Sequence, residues 1–225
     1  MPKRKLDINK KNSKEKILHA ATQLFGRKGY HATTIEDVTR RSGISRGALY
    51  WHFKGKSELL GEVVKRLKKE YLDVYIRETM VSGPRPMDRI WWTFKFNARF
   101  AVENTDLVHC LRNLSLELSP SEDRNVKAFF SILDQQRNFI VRILKDAQAK
   151  GDIRTDLDAE LLAATILAIH DGILLQWTAF SHLFDGRELV WAFRQVMLAG
   201  MAPDAKIIHP EKTIAKSDQD FENMK

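Results

Sequence analysis

The chain of 225 residues carries 37 Lys and Arg against 29 Asp and Glu, a formal net charge of +8, and 44% of its residues are hydrophobic. This length suits one large domain or a small one joined to a larger one, and the apolar content excludes a disordered chain. A single cysteine, Cys110, excludes an internal disulfide and a thiolate zinc cluster. Because no uninterrupted apolar run reaches about 18 residues, we expect a soluble, cytoplasmic protein with no membrane segment.

Positive charge is concentrated near the N-terminus. Residues 1–60 hold 14 Lys and Arg against 5 Asp and Glu, whereas the remaining 165 residues hold 23 against 24. Such a distribution indicates a region that binds a polyanion, joined to a neutral body. Half of the 14 basic residues lie in the first 16 positions, so the distribution by itself also fits a flexible basic tail.

Apolar residues recur at helical spacing along almost the whole chain, and no segment alternates as a strand does, so the sequence predicts an all-α fold. Residues 1–12 are predicted to form a basic, flexible arm. Ser13 can cap a first helix, which is expected to end near the glycines at positions 26 and 29. A longer helix is predicted for residues 56–79, and the Gly- and Pro-containing segment 82–86 is the clearest break in the chain.

Residues 33–56 predict two short helices joined by a glycine-containing turn, the pattern of a helix-turn-helix unit. Thr33 and Glu36 match a capping box for the first of these helices, Gly43 can close it, and Ser45 can cap the second. Small residues follow at positions 47 and 48, and they let a helix backbone approach base edges in the major groove of DNA. Residues 13–55 are therefore predicted to form a helix-turn-helix DNA-binding domain.

Several side chains of this unit suit contacts with DNA. The Arg46 guanidinium can donate two hydrogen bonds to a guanine edge. Hydroxyl, imidazole and ammonium groups are suitable donors to phosphate, and Tyr50, His52 and Lys56 supply them. The candidate DNA-binding residues are Thr33, Thr34, Ser45, Arg46, Gly47, Ala48, Tyr50, Trp51, His52 and Lys56.

The C-terminal part is predicted to be a second helical domain. Residues 56–86 are interpreted as a linking helix and loop, and residues 87–201 as a ligand-binding and dimerisation domain. Its five helices are predicted near 87–104, 106–118, 119–151, 161–180 and 189–201, with capping boxes that begin at Thr155 and Asp185. Residues 202–225 are polar and are predicted to form a disordered tail.

The last two helices carry apolar residues on more than one face, which is typical of an interface between two copies of a chain. Burial entirely within one protomer is the alternative. The candidate interface residues are Leu161, Thr165, Ala168, Gly172, Leu175, Leu189, Phe193, Val196 and Met197.

Enzyme chemistry is not indicated. Residues 43–47 spell G-x-S-x-G, but a hydrolase needs a buried strand before the serine, and the preceding segment is polar and helical in period. The seven histidines form no metal-binding motif, so no metal and no cofactor are expected.

Three stretches together resemble the DNA-binding domain of the TetR family of bacterial transcriptional regulators. They are Phe25 with Gly29-Tyr30 and Thr33-Thr34-Ile35, Ser42-Gly43-Ile44-Ser45-Arg46-Gly47, and Leu49-Tyr50-Trp51-His52-Phe53-Lys54 with Lys56 and Leu59. The run from Arg46 to Lys54 is similar to that of the AcrR-type efflux repressors. The motif resemblance covers about residues 13–72 and is only architectural over 87–201. Glu36 departs from the pattern, because some family members have a base-contacting arginine there.

The resemblance implies a homodimer that binds a palindromic operator in double-stranded DNA and is released by a hydrophobic or aromatic small molecule. It places the effector pocket between the central helices of the C-terminal domain, beside the helix of residues 56–79. The candidate pocket residues are Trp91, Phe94, Asn97, Phe100, His109, Asn113, Phe130, Gln135, His170 and Trp177. On this hypothesis, the bound effector moves the helix of residues 56–79 and so changes the spacing of the two DNA-binding domains.

Two other interpretations stay open at this point. The same fold could activate transcription or could respond to no small molecule. Alternatively, the chain could be an α-helical lipid carrier or enzyme whose basic arm only affects solubility. Salt-dependent, sequence-preferring binding to DNA distinguishes a regulator from a carrier.

Overall fold

The computed structural model describes the backbone of residues 2–180, 182–183 and 185–205, and the side chains of residues 12–180, 182, 183, 185, 186 and 188–205. Within these ranges all regular structure is helical, which confirms the predicted all-α fold. In chain order the elements are α1 (Pro2–Lys28), α2 (Ile35–Ser42), α3 (Arg46–His52), α4 (Lys56–Leu67), a π-helical turn (Lys68–Leu72), α5 (Asp73–Val81), α6 (Pro86–Glu103), α7 (Thr105–Glu117), α8 (Arg124–Ala149), α9 (Ala159–Ala179) and α10 (Gly186–Met201).

The starts of α1 and α2 differ from the prediction. α1 begins at Pro2, so Ser13 lies inside the helix, and the prediction of a separate flexible arm at 1–12 is wrong for the described residues. The capping box of α2 lies one residue later than predicted, because the Thr34 hydroxyl accepts from the Asp37 amide and the Asp37 carboxylate accepts from the Thr34 amide. A capping box satisfies two backbone donors that a helix start would otherwise leave unpaired.

The turn between α2 and α3 agrees with the prediction. Gly43 ends α2 with a φ of 67°, a left-handed conformation that favours glycine. The Ser45 side chain caps α3 by accepting from the amide of Ala48. Local residue chemistry therefore determines this turn, as the sequence indicated.

Later helix starts are shifted from the prediction. α8 begins at Arg124, because the Asp123 carboxylate caps it, rather than at residue 119. α9 is capped by Asp158 and not by Thr155, since the Asp158 carboxylate accepts from the amides of residues 160 and 161. Of the predicted tail at 202–225, residues 202–205 form a bend and a turn, and residues 206–225 lie outside the described residues.

The helix predicted for residues 56–79 contains a π-helical turn. The turn separates α4 from α5, and it contains the buried residues Tyr71 and Leu72. A π-helical turn changes the direction in which the following residues face. Tyr71 within the turn and Tyr75 and Thr79 after it are all buried, spaced four residues apart along the chain.

A buried apolar core holds α1, α2 and α3 together. It contains Phe25 of α1, Val38 of α2, and Leu49 and Phe53 at α3, all with essentially no exposed surface. Each buried side chain of this size stabilises the fold by roughly 1.5–3 kcal/mol relative to an exposed one. The core continues into α4 through Leu59, so the short helix α3 is fixed from two sides.

The three-helix unit is attached to the C-terminal helices mainly through α1 and α7. At Gly26 the two helices are so close that an added Cβ would lie 3.0 Å from the Cys110 amide nitrogen. The Gln23 side chain donates to Asp106, and the Asn113 side-chain amide donates to the Gly26 carbonyl at 2.9 Å. Close packing and polar contacts therefore connect the N-terminal unit to the rest of the chain.

α9 and α10 expose an unusual amount of apolar surface. Leu161 and Leu175 on α9, and Trp191 and Val196 on α10, are more than half exposed. Among the described residues, α9 has the length and apolar composition that a helix needs to span a membrane. Only 17% of its most apolar 18-residue stretch is buried within the protomer. Helices of water-soluble proteins can meet the same two criteria, so length and composition do not make α9 a membrane segment.

Two of the predicted interface residues are buried inside the protomer. Phe193 packs edge-on against Phe94 of α6 with ring centroids 4.7 Å apart, and Met197 is also buried. The interface prediction is therefore wrong for these two residues, because this side of α10 faces α6. Leu161, Thr165, Ala168, Leu175 and Val196 are exposed, and Gly172 and Leu189 are partly exposed.

Candidate DNA-binding surface and aromatic core

α3 presents one exposed side and one buried side. The Arg46 side chain is 64% exposed and Trp51 is 61% exposed, whereas Leu49 and Phe53 are buried. Gly47 has no atom within 4 Å of the position that a Cβ would occupy. The N-terminal half of α3 is therefore accessible enough to enter the major groove of DNA.

Arg46 interacts with an acidic residue of the neighbouring helix. Its guanidinium lies 3.0 Å from the Glu36 carboxylate of α2 and 5.6 Å from the centroid of the Tyr50 ring. The Tyr50 hydroxyl and then the Glu36 charge raise the pKa of Arg46 above its ordinary value. The side chain predicted to contact a base is therefore already oriented by Glu36 and Tyr50.

The two neighbouring threonines differ in their availability. The Thr33 side chain is buried, and its hydroxyl donates to the Gly29 carbonyl at 2.6 Å. The prediction of a phosphate contact through Thr33 is therefore wrong, because the hydroxyl already has an intramolecular acceptor and is not accessible. Thr34 is exposed and caps α2 as an acceptor, which leaves its own O–H free to donate outward.

Lys56 stabilises the junction of α1, α2 and α4. Its Nζ donates to the carbonyls of Tyr30 and His31, at 3.0 Å each, and lies 4.7 Å from the centroid of the Tyr30 ring. An ammonium group has three donors, so one N–H remains for another acceptor. Lys56 has a structural role that its position in the sequence did not indicate.

Trp51 and His52 lie together at the end of α3. Their rings meet edge to face with centroids 4.6 Å apart, Trp51 is exposed, and His52 is half-buried. Both side chains are on the same end of the helix as Tyr50, which is 44% exposed. The predicted contact residues between 45 and 52 are therefore all exposed or partly exposed.

The Asp37 carboxylate of α2 accepts hydrogen bonds from two cations and one backbone amide. It accepts from Lys28 at 2.7 Å, from the Thr34 amide and from Arg40. The Lys28 contact, followed by the Thr34 amide, holds the pKa of Asp37 well below its usual range. This carboxylate connects α1 to α2 and keeps two cations close to the exposed side of the three-helix unit.

In the C-terminal helices, α5, α6 and α8 enclose an aromatic core with a polar centre. The Gln136 amide of α8 donates to the Tyr71 hydroxyl at 2.6 Å, and that hydroxyl donates to the Asn97 carbonyl oxygen of α6 at 3.1 Å. All three side chains are buried. The Phe96 and Phe100 rings stack on each other, 5.6 Å apart, beside Tyr71.

The predicted pocket residues occupy different parts of the structure. Phe94, Asn97 and Phe100 lie in the core, and Trp91, Phe130, His170 and Trp177 are partly buried. His109 and Asn113 face α1 at Gly26, so their assignment to a pocket is wrong. Gln135 is exposed and accordingly is not a pocket residue, because the α8 register places its neighbour Gln136 inward.

The sequence analysis did not identify Tyr71, Tyr75 or Gln136 as site residues. Tyr71 and Tyr75 are four residues apart, which puts them on one side of a helix and could have been recognised. Gln136 gave no signal, because a single glutamine in a polar helix is normally solvated. Among the described residues, no group of three or more His, Cys, Asp or Glu side chains forms a metal site.

Known proteins share both the motif and the fold. Residues 17–63 match the family of bacterial regulatory proteins described as the tetR family. The chain is 26% identical over 201 residues to the HTH-type transcriptional repressor DhaR of Mycobacterium sp. (strain GP1), over 88% of this chain and 96% of DhaR. The crystal structure of the MbdR regulator from Azoarcus sp. CIB matches with a TM-score of 0.73 at 26% identity, over 87% of this chain and 100% of MbdR. The SmeT–triclosan complex has the same fold, with a TM-score of 0.67 at 23% identity, over 87% of this chain and 94% of SmeT.

Proposed function

Because the chain belongs to the TetR family of bacterial regulatory proteins, and is a DNA-binding transcriptional regulator rather than an enzyme, we propose that it is a repressor released from a palindromic operator by a lipophilic small molecule. The exposed side of α3 supports this proposal, because Arg46, Gly47 and Tyr50 are accessible there. DhaR, which aligns over nearly its full length, is named as a repressor.

The exposed side chains suggest separate roles at the operator. Arg46 reads a guanine in the major groove, and Ser45, Gly47 and Ala48 let the helix start approach the bases. Tyr50, Trp51 and His52 contact the sugar-phosphate backbone from the end of α3. Thr34 and the third N–H of Lys56 contact the backbone on the other side.

A second copy of the chain covers the exposed apolar side of α9 and α10. Leu161, Leu175 and Val196 are large apolar residues that water contacts in the single protomer. Their burial in a two-fold interface removes that surface from water, which is favourable. The two copies of α3 then reach successive major grooves, about 34–36 Å apart, in the cytoplasm where the DNA lies.

We assign operator binding to residues 13–55, the link to 56–86, and effector binding and dimerisation to 87–201. An effector bound among α5, α6 and α8 shifts these helices and hence α4 and α7, to which the three-helix unit is attached. A tenfold loss of operator affinity requires the effector to prefer the released state by about 1.4 kcal/mol. The SmeT–triclosan complex has this fold and contains a lipophilic ligand.

Selection of DNA from a random pool by the purified chain tests the proposal. The expected result is a two-fold symmetric site whose affinity falls steeply as salt concentration rises. No enrichment, or enrichment of an asymmetric single site, contradicts operator binding by a dimer. A reporter gene placed behind the selected site separates repression from activation, because deletion of the regulator raises expression only if it is a repressor.

A further inference from the structure

The loop between α1 and α2 is held from two sides by side chains of other helices. The His31 amide donates to the Glu117 carboxylate of α7 at 3.1 Å, and the His31 carbonyl accepts from the Lys56 Nζ of α4 at 3.0 Å. Lys56 also donates to the Tyr30 carbonyl. One short segment of the three-helix unit is therefore bonded both to α7 and to the start of α4.

The start of α4 is in turn held by α8. The Asn125 side-chain amide donates to the Ser57 carbonyl at 2.9 Å and to the Ser57 hydroxyl oxygen at 3.1 Å. Because Ser57 follows Lys56 directly, these hydrogen bonds connect α7, the α1–α2 loop, α4 and α8. Together, the hydrogen bonds of Glu117, His31, Lys56, Ser57 and Asn125 form what we call the junction.

Two glycines leave room for the side chains that reach the junction from α7 and α8. A Cβ added at Gly29 would overlap the Glu117 carboxylate, and a Cβ added at Gly61 of α4 would lie 2.5 Å from the Asn125 side-chain oxygen. Gly29 also has a φ of 83°, in the left-handed region that favours glycine. The close approach of Glu117 and Asn125 therefore depends on the lack of a side chain at both positions.

Glu117 and Asn125 both project from backbone that the core of the C-terminal helices holds in place. Leu114 and Leu118 lie on either side of Glu117 in the chain, and both are buried. Val126, which follows Asn125, is buried as well. The two side chains are therefore fixed points on the C-terminal helices from which the three-helix unit is held.

The junction adds a second attachment to the contacts between α1 and α7. Gly26 of α1 approaches Cys110 of α7, and Glu117 lies at the end of the same row of contacts. Contacts along a single row leave rotation about that row as the least restricted motion. The hydrogen bond between Asn125 and Ser57 joins a different pair of helices, α8 and α4, and so restricts this rotation.

Packing leaves space beside the junction. A cavity of about 330 Å³ separates Tyr30 and Leu60 on one side from Leu118 and Val126 on the other. Apolar contacts are non-directional, whereas a hydrogen bond requires a particular distance and angle. The hydrogen bonds of the junction, rather than close packing at this point, therefore select one orientation of the three-helix unit.

We propose that Glu117 and Asn125 are positioning residues for operator recognition, because they fix the orientation of the three-helix unit on the C-terminal helices. This inference rests on the proposed binding of a dimer to a palindromic operator. Once a dimer is bound at one half-site, its effective concentration at the second depends on the stiffness and geometry of the connection. A fixed orientation raises affinity for two half-sites at one spacing and leaves the affinity of α3 for a single half-site unchanged.

The affinities of the full chain for the selected operator and for DNA with a single half-site test the inference. Glu117→Ala and Asn125→Ala are each expected to weaken binding to the two half-sites at least about fivefold, with half-site affinity changed by less than about twofold. Inserting one base pair between the half-sites moves them about 3.4 Å further apart. This insertion should weaken binding less in the two variants than in the wild-type chain. Fluorescence anisotropy measures all of these affinities.

Glu122→Ala and Asn138→Ala are the matched controls. Glu122 is an exposed carboxylate between α7 and α8 that pairs with Lys127, and Asn138 donates to Asp134 within α8. Glu122→Ala removes the same charge from the same region as Glu117→Ala, so it accounts for a change in repulsion of the phosphates. Both controls are expected to keep the ratio of operator affinity to half-site affinity.

The affinity ratio separates positioning from a loss of stability. A variant that is only destabilised has a lower melting temperature and loses both affinities by the same factor, because only its folded fraction changes. Glu117→Gln keeps an oxygen that can accept from the His31 amide and is expected to retain the wild-type ratio. Asn125→Ala introduces a good helix former and is expected to fold even if Glu117→Ala does not. An unchanged ratio in Asn125→Ala, or an equal loss in Glu122→Ala and Glu117→Ala, overturns the inference.

Amide hydrogen exchange of the chain without DNA separates this inference from the operator proposal. Glu117→Ala and Asn125→Ala are both expected to speed exchange at residues 29–34 and 57–61, and the two controls are not. If the wild-type chain binds two half-sites no better than one but exchange responds as expected, dimeric operator binding is wrong and the fixed orientation is supported. Unchanged exchange in both variants would show that the junction does not hold the three-helix unit, and it overturns the inference.

Discussion

The Arg46 guanidinium of α3 lies 3.0 Å from the Glu36 carboxylate of α2, and both side chains are more than half exposed. An exposed ion pair of this kind contributes little to stability. We expect its effect to be on recognition instead, because in the proposed complex the carboxylate competes with DNA for the arginine and repels nearby phosphates. Glu36 is also the position at which the sequence departs from the family pattern.

Replacement of Glu36 by glutamine is expected to raise affinity for DNA. Glu36→Gln removes one negative charge beside the phosphates and frees Arg46, so affinity should rise about three- to tenfold, or roughly 1 kcal/mol. Fluorescence anisotropy at two salt concentrations measures it. Glu103→Gln on α6 is the control for a charge change remote from α3. Weaker binding to the selected operator alone would show instead that Glu36 positions Arg46 for base contact.

Arg46 and Tyr50 are expected to affect DNA binding in different ways. Arg46→Ala should remove discrimination at one base pair, at a cost of about 1–3 kcal/mol on the preferred sequence. Tyr50→Phe should weaken binding to all sequences alike, because a phosphate contact carries no base information. Binding to the operator and to a set of single-base variants measures both effects. The same profile for the two variants would contradict the separate roles.

Replacement of Lys56 is expected to reduce stability as well as DNA affinity. Lys56→Ala removes the two hydrogen bonds to the carbonyls of Tyr30 and His31. Hydrogen bonds to charged groups are worth about 1.5–3 kcal/mol, so the melting temperature should fall by several degrees. Lys54→Ala is the control for loss of an exposed cation nearby. An unchanged melting temperature with lost DNA binding would show that Lys56 acts only on phosphate.

The Asp37 network predicts a pH-dependent contribution to stability. The pKa of Asp37 is lowered in the folded chain, chiefly by Lys28, so its contribution is present above the ordinary carboxyl pKa of about 4 and is lost as the pH falls below it. Asp37→Asn should therefore lower the melting temperature at pH 7, and the difference should shrink towards pH 3. Asp134→Asn, in an exposed pair on α8, is the control. A difference that is constant with pH would exclude ionisation as the cause.

The proposed dimer depends on the exposed side of α10. Val196→Glu should give a monomer in analytical ultracentrifugation and abolish tight operator binding, because a charge placed in an apolar interface has no partner. Leu116→Glu on α7 is the control, since Leu116 is also a largely exposed apolar residue and lies outside α9 and α10. A Val196→Glu protein that remains dimeric would move the interface elsewhere.

The helical fold, the turn between α2 and α3, and the exposed side of α3 follow from the amino-acid sequence alone. Gly43 and Ser45 act on backbone within a few residues, so their consequences are local and can be predicted. Leu49 and Phe53 repeat at helical spacing, which fixes which side of α3 is buried. The capping boxes at residues 33 and 155 were misplaced, because several neighbouring polar residues could serve and only the final backbone path selects one.

Contacts between side chains of different helices depend on how the helices pack, which the sequence does not reveal. The Thr33 hydroxyl donates to the Gly29 carbonyl, and two of the three N–H groups of Lys56 donate to the carbonyls of Tyr30 and His31. Gln136 rather than Gln135 faces the core, because the packing of α8 against α6 and the π-helical turn sets its rotation. Contacts between distant segments depend on the relative rotation of whole helices, and a one-residue difference in that rotation changes which side chain is buried.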